Sequence, residues 1–139
     1  MISDQNKMDD EASSARFSHE DLDVFRRAYG LSLDLHRASL SWPKIEQYGG
    51  LGDQVRRASK SVCALIAEGA GRQSGSRLEF ARYLAMAVGS AEEVRLWCRY
   101  AADLGYMEQG TADEMRGSYV HVIRMLNGLA ARQRKGPVS

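Results

Sequence analysis

The chain is short of the residues that interrupt or crosslink a polypeptide. Only two prolines occur in 139 residues, Pro43 and Pro137. Both fall outside the apolar-periodic stretches, which favours long helices because proline removes a donor and clashes with the preceding turn. The two cysteines, Cys63 and Cys98, are too few for a disulfide framework, and neither stands in a C-x-x-C pair. No run approaches the roughly 18 apolar residues of a membrane-spanning helix, and the N-terminus lacks a basic stretch followed by an apolar one. The expectation is a cytoplasmic protein in a reducing compartment, without membrane association. Histidine is scarce as well. His36 and His121 have no carboxylate or histidine three or four positions away, and the Glu-x-x-His pattern of a di-iron bundle is missing. No metal or other cofactor is expected, and no small-molecule substrate.

Net charge is nearly absent too, at +1, but the balance conceals an asymmetry. Residues 1–23 carry seven acids against two bases, a net of −5, which leaves +6 for the remainder. After Glu114 the chain has Arg116, Arg124, Arg132, Arg134 and Lys135 and no acid. Residues 1–18 contain Ser, Asp, Asn and Glu and show little periodic apolar content, so they cannot repay the entropy of ordering. A mobile acidic tail is expected over 1–18, a bundle over 19–134 and a flexible end over 135–139.

Four segments carry apolar residues at spacings of four and three, the mark of a helix that buries one stripe. The first reads Val24, Ala28, Leu31, Leu35 and Ala38, widened by Leu22 and Phe25, and stops before Trp42-Pro43. The second reads Leu51, Val55, Ala58, Val62 and Leu65, with Gly69 in the position of its C′ residue. The third follows a capping-box sequence, Ser76-Arg77-Leu78-Glu79, and runs through Phe80, Leu84, Ala87, Ala91, Val94, Cys98 and Ala101 to Gly105. The fourth opens on a second capping-box sequence, Thr111 to Glu114, and reads Ala112, Met115, Tyr119, Val122, Leu126 and Leu129 before fraying from Arg132. Short connections join antiparallel neighbours, so the predicted fold is an all-α, antiparallel up-down-up-down four-helix bundle.

Chemistry-bearing groups are sparse. Both cysteines lie on or beside core stripes, where a free thiol behaves as a small hydrophobe, and neither has a histidine nearby in sequence to activate it. Glu92 and Glu93 are adjacent and so point about 100° apart on a helix, which leaves Glu92 as an ion-pair partner for Arg95. The small-residue loop from Glu68 to Ser76, with Arg72 and Arg77, could hold an anion at a helix N-terminus, but it lacks the Gly-Lys-Ser/Thr of a P-loop. Arg56, Arg57 and Lys60 form a cationic patch on the second helix. With Arg124, Arg132 and Arg134 on the fourth, they are the candidates for nucleic-acid or anion binding. Tyr83, Met86, Trp97 and Tyr100 lie off the core line of the third helix and are the candidates for an oligomer interface. No catalytic residues emerge, and the chain is expected not to be an enzyme.

Several motifs agree in order and spacing with a known family. They include Leu22-Asp23-Val24-Phe25-Arg26-Arg27-Ala28, Gly50-Leu51-Gly52-Asp53-Gln54-Val55-Arg56-Arg57-Ala58, Ser61-Val62 and Ile66-Ala67-Glu68-Gly69-Ala70-Gly71-Arg72. Glu79-Phe80, Ala87-Val88-Gly89-Ser90-Ala91-Glu92-Glu93 and Leu104-Gly105-Tyr106 continue the match. Over about residues 17–130 the chain resembles the four-helix-bundle proteins encoded in intervening sequences of large-subunit ribosomal RNA genes. The resemblance implies an all-α bundle assembled as a ring-like homo-oligomer such as a pentamer, without catalysis. It also implies kinship with accessory bundle proteins of diversity-generating retroelements, which bind nucleic acid. One departure stands out: Leu65 occupies a position where the family pattern has Asn before Ile-Ala-Glu-Gly. The leading expectation is therefore a self-associating interaction protein, and the alternative is a nucleic-acid-binding accessory protein.

Overall fold

The computed structural model describes residues 18–71 and 76–136. The acidic tail expected for 1–18 falls outside the described residues except for Ser18, as do the last three residues of the expected flexible end. Every regular element among the described residues is helical. Four long helices, α1 (Asp23–Ser39), α2 (Leu51–Gly71), α3 (Arg77–Asp103) and α4 (Gln109–Lys135), pack as a bundle. Single 3-10 turns at His19–Asp21 and Lys44–Glu46 lead into α1 and α2.

Local sequence sets most of the helix ends. Ser76 Oγ accepts the Glu79 backbone N–H at 3.1 Å and caps α3. Gly105, at φ 80, closes the far end of α3 by donating to the Ala102 carbonyl while Tyr106 N–H reaches back to Ala101. The N-terminus of α2 is capped from a distance, because Glu46 Oε1 accepts the Leu51 N–H at 2.9 Å. At the start of α4 the Thr111 capping box is not used. That helix already begins at Gln109, with Glu108 as N-cap and Thr111 inside the first turn. The same helix runs unbroken to Lys135 and ends at Gly136, φ 72, where fraying was expected from Arg132.

Neighbouring helices meet in opposite senses where side chains record the register. Ser32 on α1 lies beside Ser59 on α2, whereas Ser39 further along α1 meets Arg56 further back on α2. Ser61 and Gly69 on α2 meet Ser90 and Tyr83 on α3 in the same reversed order. The expected stripe of α3 is buried at every position from Phe80 to Ala101. On α1 the stripe is different: Val24, Ala28 and Leu35 are buried as expected, but Ser32 and Ser39 complete the line while Ala38 faces solvent. The serines are tolerated because each hydroxyl is satisfied, Ser32 by Ser59 at 3.0 Å and Ser39 by the His36 carbonyl at 2.8 Å.

Gly69 is not the C′ residue of α2. The helix continues to Gly71, and Gly69 is buried against α3, where a Cβ would fall 2.6 Å from Tyr83 Cβ and 3.0 Å from Phe80 Cδ1. Neither of those atoms is the free end of a flexible chain. Alanine there must push α2 and α3 apart, an overpacking cost of about 1–3 kcal/mol that exceeds the roughly 1 kcal/mol helix-propensity gain. Gly117 on α4 is exposed and has nothing within 4 Å of its would-be Cβ. Urea denaturation should therefore show Gly69→Ala destabilising the fold and Gly117→Ala stabilising it by about 0.5–1 kcal/mol.

Candidate interaction surfaces

The helices carry the predicted site residues to several different places. Arg56, assigned from sequence to a surface patch, turns back onto the α1–α2 connection. Its guanidinium donates to Ser39 Oγ at 2.8 Å, to Gln47 Oε1 at 3.3 Å and to the Gln47 carbonyl at 2.8 Å. Gln47 in turn donates to the carbonyls of Ser39 and Trp42. Arg56 thus satisfies carbonyls and hydroxyls where α1 ends, and its charge is committed to the fold. Arg57 is exposed and pairs with Asp53 one turn earlier, at 3.1 Å. Lys60 is exposed.

The fourth helix exposes Arg124, Arg132 and Arg134. Among the described residues, α2 and α4 make no backbone approach within 8 Å, so the two predicted basic patches do not form one face of a single chain. Arg124 and Arg132 also border a cleft shared with Asp21 and Asp23. Arg77 is half-buried in the first turn of α3. In the proposed anion loop Gly69, Ala70 and Gly71 are helical, and Arg72 lies outside the described residues.

The predicted interface residues divide as well. Tyr83 is buried against Gly69, whereas Met86 and Tyr100 are 45% and 51% exposed on the outer side of α3. Exposed Leu96 and Leu104 and half-buried Trp97 extend that surface. The rings of Trp97 and Tyr100 sit 5.8 Å apart, and the shielded indole N–H of Trp97 has no acceptor among the described residues.

A second apolar feature was not anticipated. Phe25, Tyr29 and Leu33, at four-residue steps on α1, line a groove of about 460 Å³ against Cys63, Ala64 and Ala67 of α2. Tyr29 stacks on Phe25 at 5.9 Å, and His19 meets the Phe25 edge at 4.6 Å. His36 and Lys60 stand at the opposite end of the groove. The His36 imidazole is held below its usual range by burial and then by Lys60, Arg56 and Arg37. The i, i+4, i+8 spacing of three large apolar residues was the available signal, but it ran beside the core stripe and read as its margin.

Neither thiol is activated. Burial pushes Cys63 up to about 11 and Cys98 up to about 12, and the buried Tyr119 hydroxyl is raised for the same reason. No group of three or more potential metal ligands occurs among the described residues, and no described helix is long and apolar enough to cross a membrane.

The family model of the 23S rRNA-intervening sequence proteins matches residues 20–128, which spans all four helices. The chain belongs to that family. The fold agrees with a crystal structure described as a protein with unknown function from the S23 ribosomal protein family of Bacteroides thetaiotaomicron. The two share 16% identity at a TM-score of 0.69, over 78% of this chain and 96% of that one. No curated protein matches the chain. Within this family member Leu65, the departure from the Asn of the pattern, packs against the hydrophobic core.

The two adjacent arginines should separate cleanly in a stability measurement. Arg56→Ala removes a charged donor from several acceptors and should cost about 2 kcal/mol, whereas Arg57→Ala removes one exposed ion pair and should stay within about 0.5 kcal/mol. The raised thiols carry a pH signature of definite sign. Because Cys63 and Cys98 hold their protons more tightly when folded, stability is intact below the ordinary thiol range and falls as pH rises from there towards 11 and 12. Replacing both by Val should flatten that part of a urea-midpoint titration.

Proposed function

We propose that this protein is a non-enzymatic, cytoplasmic interaction module that associates with copies of itself through the outer face of α3. The exposed apolar run of Met86, Leu96, Tyr100 and Leu104 around the half-buried Trp97 carries the reading, because a monomer gains nothing from leaving it in water. Aromatic anchors of this kind concentrate binding energy at protein interfaces. The absence of catalysis is supported by two thiols that burial keeps protonated. A closed ring is the form assigned to the assembly, with five copies as the stoichiometry that the family resemblance implies.

Light scattering tests this directly. The expected wild-type mass at micromolar concentration is near five times the chain's 15.4 kDa. Trp97→Ala should weaken assembly by about 2 kcal/mol, or roughly 30-fold, and Tyr100→Glu should give single chains. A wild-type mass of 15.4 kDa at that concentration would refute the proposal.

A second reading, nucleic-acid binding, is favoured by the C-terminal half of α4, where Arg124, Arg132, Arg134 and Lys135 are exposed and no acid follows Glu114. In a ring these weak patches would repeat and gain avidity without new contacts. Duplex DNA binding of this kind should lose about 0.9 in log K per phosphate contact for each tenfold rise in salt. Affinity indifferent to salt would exclude it.

A further inference from the structure

We infer that the groove between α1 and α2 is the seat for the outer face of α3 from the next copy of the chain, so that each subunit inserts a ridge into one neighbour and accepts a ridge from the other. The inference rests on the reading that α3 mediates self-association, and it names the surface that α3 meets.

Symmetry requires such a second surface. A patch that pairs only with itself closes a two-fold dimer and stops, whereas a ring grows through contacts between two different patches on each chain. The two patches here can be engaged at once. Among the described residues α1 and α3 make no backbone approach within 8 Å, so the groove and the ridge open on different sides of the bundle.

The groove also has the chemistry that an apolar ridge needs. Phe25, half-exposed Tyr29, Leu33 and Ala64 line its space of about 460 Å³. The clefts on the other flank of α1 do not offer this, since Asp23 and Arg132 line one, and Asp23, Arg27 and Asp34 line the other. An apolar ridge seated in either would strip water from charged groups and return no hydrogen bonds.

Charge sets the register. Glu93 lies on the outer face of α3 between Met86 and Tyr100, and Lys60 stands at one end of the groove. Both are exposed, and among the described residues neither has an ion-pair partner. An acid in the middle of an apolar ridge is matched by a cation on the surface it meets. From Lys60 the Ala67 end of the groove is seven residues along α2, about 10 Å at the helical rise of 1.5 Å per residue. Met86 and Tyr100 each stand seven residues from Glu93 on α3, one on either side. With Glu93 against Lys60 and α3 lying along the groove, a large apolar side chain therefore reaches the far end in either direction of the helix.

Light scattering on the full-length chain tests the pairing. Ala64 is exposed on the groove wall, so Ala64→Glu leaves the core intact and should reduce the assembly to single chains of 15.4 kDa, as Tyr100→Glu should from the other side. Mixing the two variants leaves one intact groove and one intact ridge, so a single junction should form and the mass at high micromolar concentration should be twice that of the chain. Lys60→Glu should raise the concentration needed for assembly about tenfold, and adding Glu93→Lys should bring it back. An Ala64→Glu assembly of wild-type mass, or a mixture that stays as single chains, would overturn the inference while the α3 reading stands. A wild-type mass of 15.4 kDa would instead remove that reading, and this inference with it.

Discussion

Close approach of the helices is the condition on which the rest of the bundle depends, and residues with little or no side chain create it. Ala28, Ala58, Ala87, Ala91, Ala101 and Ala112 lie buried along the facing stripes, and Gly69 brings α2 onto the Cβ of Tyr83. Small residues at contact positions draw helix axes toward the short end of the usual 8–10 Å separation, where Phe80 and Tyr119 can fill the remaining space. α3 shares its most extensive contacts with both α2 and α4, whereas α1 rests mainly on α2. The least embedded helix is thus α1, and grooves border it on either side.

Where apolar periodicity alone decides burial, the sequence was readable. The seven-residue stripe of α3 is buried throughout, and the Ser76 cap forms as its sequence indicates. Reading failed where one residue type serves two physical ends. Glycine near a helix end signals a cap, yet Gly69 is used for contact. Serine reads as polar surface, yet Ser32 and Ser39 are core residues because each finds a hydroxyl or carbonyl within 3.0 Å. Thr111 and Glu114 have the form of a cap, but α4 begins two residues earlier.

Charged and aromatic side chains were harder to place, for a related reason. Arg56 and Arg57 are neighbours in sequence and differ in everything else, since helical rotation turns one toward the α1–α2 connection and the other to water. Tyr83 and Tyr100 read alike, yet the first is buried by the glycine opposite it and the second is half in solvent. Periodicity locates a residue on its own helix. It does not say what the next helix presents, and that decided each of these cases.

One tie connects parts of the chain that no local pattern links. Glu46, whose first oxygen caps α2, accepts the Tyr106 hydroxyl on its second at 2.9 Å, and Trp42 lies 6.1 Å from the Tyr106 ring. The turn of the α1–α2 hairpin is thereby pinned to the turn of the α3–α4 hairpin. At the other end the chain itself runs from α2 into α3 and Gly69 sits tight against Tyr83, so the two hairpins are fastened at both ends and neither can swing away from the other without breaking a tie.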